Sequence, residues 1–427
     1  MDPALDGAIE PLKSDSPGLQ MIVPRIAYGI CAPRFTIANY AYRNLVIRFG
    51  GGFESGRFLA LHRMKGKTSQ RPDLDAPIPI FAPEEATVKL DIFPHIFPRS
   101  YFDKMVEVAP DRGAIKRWLN IPVLYDLEAR LKMMEEFGDY QQILTLSLPA
   151  IEFVAGPEKS PELARIANDG MAEICARRPD RFPGFVASLP LNNVPASLAE
   201  MTRAIEQLGA RGIQIFTNVN GRPLDEPEFA PIFERMHAYD LPIWMHPTRG
   251  PGMTDYATEK KSKYEIWWLF GWPYETSAAM ARMVFSGFFD RWPRLKIITH
   301  HMGAMAPFFE ARIGLGMDQL GSRTSDEDYT RLLKQMSARG KRPVDYFRLF
   351  YNDTAVNGSR SAIRCGLDFF GVDHCLFGTD CPFDPEGGPV FIRETIKAID
   401  SLDLTRDERA RLYIANARRL LRLQAPA

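Results

Sequence analysis

The chain has 427 residues, 45% of them apolar, which is enough for a full-sized core and argues against a disordered protein. Its 53 basic and 53 acidic residues cancel, so no bulk field draws in nucleic acid or an anionic membrane. No apolar run reaches the ~20 residues that span a bilayer. Five cysteines (Cys31, Cys175, Cys365, Cys375, Cys381) have no paired-motif spacing and read as reduced thiols of a cytoplasmic protein.

Residues 1–86 read as an N-terminal extension, largely irregular. Asp2, Asp6 and Glu10 stand at its start without an apolar stretch, so no secretory signal is expected there. Between positions 21 and 71, Arg25, Arg34, Arg43, Arg48, Arg57, Arg63, Lys65, Lys67 and Arg71 face a single acid, Glu54. Gly50-Gly51-Gly52 interrupts this basic run, and the proline-rich stretch from Pro72 to Pro83 favours an extended linker. It is either a basic arm for a partner or subunit, or an extension with little fixed structure.

From residue 87 to 427 short apolar strands alternate with amphipathic helices. The strands expected are Val88–Phe93, Gln142–Leu148, Gly184–Leu189, Gly212–Phe216, Pro242–His246, Leu295–His301, Arg348–Asn352 and His374–Thr379. Helices are expected over Asp126–Phe137, Glu162–Arg177, Pro195–Leu208, Pro227–Tyr239 and Thr276–Phe289, with a closing amphipathic helix over Thr405–Arg422. Eight such units predict an α/β fold, a (β/α)8 TIM barrel with its active site at the C-terminal ends of the strands. A doubly wound sheet is the weaker alternative, since no Gly-x-Gly-x-x-Gly turn follows an early strand.

The polar residues at those strand ends are the chemical signal. Only seven histidines occur, and four of them, His95, His246, His300 and His301, sit where a strand stops. Alternation puts Asp91, Phe93 and His95 on one face of the first strand, with Asp91 either a metal ligand or the group that orients one. His246 closes Ile243-Trp244-Met245, and Pro247 turns the chain out of the sheet. Of the adjacent pair, His301 is expected to enter the barrel and His300 to face the helices. Asp380 closes the last strand, where it suits a metal ligand or a proton acceptor. Asp353 is expected to line the pocket. After the fifth strand Trp267, Trp268 and Trp272, three of the six tryptophans, make an aromatic wall or a subunit contact, with Arg249 placed to pair a substrate carboxylate.

From about Leu90 to Leu421 the chain resembles the amidohydrolase-related family, closest in pattern to its carboxy-lyases. The most specific stretch runs Trp272-Pro273-Tyr274-Glu275-Thr276-Ser277, then Phe288-Phe289-Asp290-Arg291-Trp292-Pro293-Arg294-Leu295-Lys296, into His301-Met302-Gly303. Asp126-Leu127-Glu128-Ala129-Arg130, Arg211-Gly212-Ile213-Gln214-Ile215 and Phe377-Gly378-Thr379-Asp380-Cys381-Pro382 fit as well. The resemblance implies one divalent metal, zinc first and manganese second, on His95, His246 and Asp380, with His301 handling the proton. Phe93 departs from it, because members carry His-x-His or Glu-x-His where this chain has Phe93-Pro94-His95. The site then keeps three ligands unless Asp91 or His301 substitutes.

The leading expectation is therefore a metal-dependent decarboxylase acting on a carboxylated aromatic or ring-cleavage product. His301 and Asp380 would be catalytic; Arg249, Trp268, Trp272, Glu275 and Asp353 would bind the substrate. A metal-dependent hydrolase and a metal-free non-catalytic barrel are the rivals. The partners expected are a small-molecule substrate and further copies of the chain, with neither nucleic acid nor membrane.

Overall fold

A computed structural model describes residues 88–109 and 115–423. The expected extension over 1–86 lies outside the described residues. Eight parallel strand positions follow one another in chain order: Lys89–Asp91, Tyr140–Leu146, the split third strand Gly184–Phe185 and Ala187–Ser188, Ile213–Phe216, Pro242–His246, Lys296–Thr299, Tyr351–Asp353 and Cys375–Leu376. Each pairs with its chain neighbours, from Lys89 against Tyr140 to Asp353 against Leu376. The ring closes through Ile92 N donating to Phe377 O at 2.9 Å and Asp380 N donating to Phe93 O at 2.9 Å. This is the expected (β/α)8 barrel.

Two apolar layers follow from the alternation of side chains along each strand. One residue or more from most strands fills the barrel: Leu90, Ile92, Phe93, Ile143, Val186, Trp244, Ile298 and Leu376 form a separate interior cluster. Trp244 crosses it, its Nε1 donating to Ile92 O at 2.9 Å. The intervening residues, among them Ile213, Ile215, Ile243, Met245, Ile297 and Phe377, face the helices instead.

The helices form where caps and apolar spacing call for them. Asp126 accepts from Glu128 N and Ala129 N to start Leu127–Met134. Asn193 caps Val194–Glu206 in the same way. The closing helix expected over Thr405–Arg422 arrives in three pieces: Arg406–Ala410, a π-helical turn Arg411–Ala415, and Asn416–Leu421. Thr405 and Glu408 make a capping box at its start, and Ile414, Ala417, Leu420 and Leu421 join the interior cluster.

Candidate metal and acid–base site

Six polar side chains meet at the C-terminal mouth. His246 is the last residue of the fifth strand, and Asp353 the last of the seventh. His300 and His301 follow the sixth strand, and Asp380 follows the eighth. His95 starts again after a break in the first strand, pairing with Thr145. Ring centroids of His246 lie 5.3 Å from His95, 5.8 Å from His300 and 6.4 Å from His301.

Each buried imidazole has its tautomer set from behind. Thr145 Oγ1 gives its hydrogen to Pro94 O at 2.6 Å, so at 3.3 Å from His95 Nδ1 it acts as acceptor. His246 Nδ1 donates to Pro247 O at 2.6 Å, and His300 Nδ1 to Asp353 Oδ2 at 2.5 Å. In all three, Nε2 keeps a lone pair. The Nε2 atoms of His95 and His300 are buried without a hydrogen-bond partner. His95 Nε2 does stand 3.1 Å from Asp380 Oδ1, but without the geometry of a hydrogen bond.

Charge is unevenly spread here. Burial pushes the pKa of His246 and of His300 well below the usual histidine range, and for His246 the neighbouring histidines add to it. At His301 burial pulls the same way but loses to the nearby Asp380 carboxylate, so its pKa rises. The same partnership holds the Asp380 carboxyl well below its usual range despite burial. Asp353, fully buried, is pushed by desolvation to about 7. His246 and His300, held neutral by burial, thus flank one proton-holding histidine, His301, whose Nε2 is 3.8 Å from Asp380 Oδ2.

Two expectations fail on strand register. Ile298 points into the barrel, so His300, two residues on, points in as well; its ring stacks on Phe93 at 3.5 Å. The backbone leaves the strand at His301, φ 57°, and this left-handed turn returns that side chain over the mouth. Alternation therefore does not force a choice between them. Asp91 faces the other way from Leu90 and Ile92, toward the helices, and does not reach the cleft. Its carboxylate takes Tyr140 Oη and Thr379 Oγ1, both at 2.5 Å, and Phe93 N at 3.0 Å.

That outward cluster still serves the site. Gln142 links Tyr140 Oη to Arg130, and the buried Arg130 guanidinium donates to His95 O. Asp91 and Arg130 so tie the first, second and eighth strands together behind His95 and Asp380. Gly378 lets Asp353 and Phe93 close on the eighth strand's end, since a Cβ there would meet Asp353 Cβ at 2.8 Å and Phe93 Cβ at 3.1 Å.

Above the floor lies a cleft of about 280 Å³ lined by His246, His301, Asp380, Trp118, Trp268, Trp272, Phe383 and Arg117. Arg249 and Glu275 do not line it. They pair with each other at 3.2 Å, and Glu275 lines a smaller cavity with Asn218 and Arg282. Asp353 lies beneath the floor rather than in the cleft wall. The guanidinium at the rim is Arg117, 4.9 Å from the Phe383 ring centre. No motif marks Arg117 in the sequence; it sits on the four-residue helix Lys116–Leu119, far from every strand end.

The profile of the amidohydrolase family matches residues 126–423. The chain belongs to the amidohydrolase family. A γ-resorcylate decarboxylase of Rhizobium radiobacter is 32% identical over 307 residues, 69% of this chain and 87% of that protein. The crystal structure of a 2,6-dihydroxybenzoate decarboxylase with 2,6-dihydroxybenzoate superposes with a TM-score of 0.62 at 27% identity, over 79% of this chain and 99% of the other. A dihydroxybenzoic acid decarboxylase of Polaromonas, solved with manganese and 2-nitroresorcinol, gives a TM-score of 0.63 at 25% identity, over 79% and 98%.

In this amidohydrolase the donors fit a divalent ion in kind: imidazole nitrogens with free lone pairs beside an ionised carboxylate. Two of those nitrogens are orphaned as they stand. Among the described residues no three His, Cys, Asp or Glu side chains yet form a chelating group. Asp380 is instead shared between His95 and His301. No helix among the described residues is long and apolar enough to cross a membrane.

Proposed function

We propose that this amidohydrolase is a metal-dependent decarboxylase of an aromatic acid. The observation that carries the reading is the cleft itself: flat aromatic walls from Trp268, Trp272, Trp118 and Phe383 over a floor of His246, His301 and Asp380. Such walls suit a planar ring, and the decarboxylase relatives act on rings of that kind by their names.

His95, His246 and Asp380 are the side chains we assign to a divalent ion, zinc or manganese; the manganese in the Polaromonas relative favours the second. When bound there, the ion supplies positive charge for the substrate's carboxylate and ring oxygens. The protein's own groups do the rest. Trp268 and Trp272 hold the ring, and Arg117 pairs with an acidic substituent at the rim. As the bond from ring carbon to carboxylate breaks, CO2 leaves and its electron pair stays on the ring. His301, kept protonated by Asp380, delivers the proton to that carbon. Asp380 then faces a neutral His301, which regains its proton from water through the cleft.

The compartment we assign is the cytoplasm, in keeping with four free cysteines among the described residues. Assembly with further copies belongs to the same reading, since Tyr264, Phe270 and Tyr274 on the tryptophan-bearing segment are exposed.

Incubating the manganese- or zinc-loaded protein with 2,6-dihydroxybenzoate, 5-carboxyvanillate and related hydroxybenzoates tests the reaction. Stoichiometric CO2 and the decarboxylated phenol are expected from at least one. Turnover of the same panel's esters or amides to free acids without CO2 would assign hydrolysis instead.

A further inference from the structure

We infer that His300 is a metal ligand of this chain, supplying the donor that Phe93 cannot. The inference rests on the reading that the mouth holds a divalent ion. Phe93 stands in the middle of the site, 4.6 Å from the His95 ring and 5.5 Å from that of His246, and offers no lone pair. His300 lies against it, ring on ring, 5.8 Å from His246.

His300 is built as a metal-binding histidine is built. Its Nδ1–H goes to a carboxylate, Asp353, which fixes the tautomer and aims Nε2 away from the seventh strand. Asp353 is itself immobilised, Oδ1 accepting from His301 N and Ala355 N, both at 3.0 Å. The other nitrogen, Nε2, is fully buried and has no partner at all. A histidine kept only for packing would be satisfied at both nitrogens, or replaced by an apolar residue, because an orphaned polar atom in the interior costs about 1–3 kcal/mol. The neighbouring rings of His246 and His301, 5.8 and 6.4 Å away between centroids, do not donate to it. A cation accounts for the lone pair.

The experiment uses the full chain, stripped of metal and titrated with Mn2+ alone, with bound and free ion followed by electron paramagnetic resonance. One Mn2+ per wild-type chain is expected. His300→Ala should weaken binding at least 100-fold, and Asp353→Asn about 10–100-fold, the range for loss of an orienting partner. Phe93→His placed on the His300→Ala background should recover part of the affinity. Unchanged affinity in His300→Ala overturns the inference, as does a wild type that binds neither Mn2+ nor Zn2+. Circular dichroism confirms that the variants fold. If they do not, pulsed resonance on wild-type Mn2+ protein counts coordinated imidazoles: three support the assignment and two overturn it. None of these readouts uses turnover. Tight binding through three imidazoles with no CO2 from any hydroxybenzoate would leave His300 a ligand and sink the decarboxylase reading alone.

Discussion

The rings of Phe93 and His300 stack face to face, 3.5 Å between centroids and within 11° of parallel. Both are buried, and together they lie beneath the cleft floor that His246 and His301 form. Removing the phenyl ring should leave a cavity that Gly378 and Ile92 cannot refill. Phe93→Ala is expected to lower unfolding stability by about 3–5 kcal/mol, the usual cost of a large-to-small change at an aromatic core site. Urea unfolding followed by tryptophan fluorescence measures it. A loss below about 1 kcal/mol would mean that the floor relaxes into the gap.

His301→Asn keeps size and some hydrogen bonding but cannot carry the proton. Turnover of a hydroxybenzoate should fall about 10²–10⁴-fold, as expected for loss of a general acid. Metal content should hold, because His301 is not among the ligands proposed. Metal lost together with activity would show that His301 binds the ion.

Arg117 reaches the cleft rim from a short helix, and its planar fork suits a carboxylate. Arg117→Ala should raise KM about 2–5-fold, the worth of an exposed ion pair, and change kcat little. Steady-state kinetics separate the two parameters. A fall in kcat at unchanged KM would place Arg117 in the chemical step instead of in binding.

Glu152, on the short helix Ile151–Val154, carries a pH signature. Both carboxyl oxygens are buried without partners, and burial pushes its pKa up to about 7. Unfolded, the group releases its proton near pH 4.5; folded, it keeps the proton until about 7. Its folded form is therefore most favoured below pH 4.5 and loses stability as pH rises through 7, by on the order of 3 kcal/mol. Glu152→Gln removes that dependence. Urea unfolding at pH 5.5 and pH 8 should show the variant gaining on wild type chiefly at pH 8. An equal difference at both would mean that the carboxyl ionises freely.

The strands, the barrel and the polar strand ends were legible in the sequence, because alternation, β-branched runs and a proline after His246 act within a few residues. The helix over Asp126–Phe137 was legible by its apolar spacing, and the structure adds that the Asp126 side chain caps the amides just ahead of it. The π-helical turn at Arg411–Ala415 was not visible, since packing on the interior cluster bends a continuous amphipathic pattern.

What the sequence determined by itself is which polar residues close the strands; which of them face the cleft belongs to the tertiary structure. His300 turns inward because Ile298 does, and Asp91 outward because Leu90 and Ile92 fill the barrel. A one-residue shift in that parity exchanges inside for outside, and no local pattern sets it when both neighbours are polar or both apolar. His301 joins the site through a left-handed backbone that a strand rule cannot anticipate. Arg249 and Glu275 pair across 26 residues, and Arg117 comes to rest on Phe383 across 266. Contacts at such separations form only when the barrel closes, so chain folding rather than local spacing chooses the guanidinium left at the cleft.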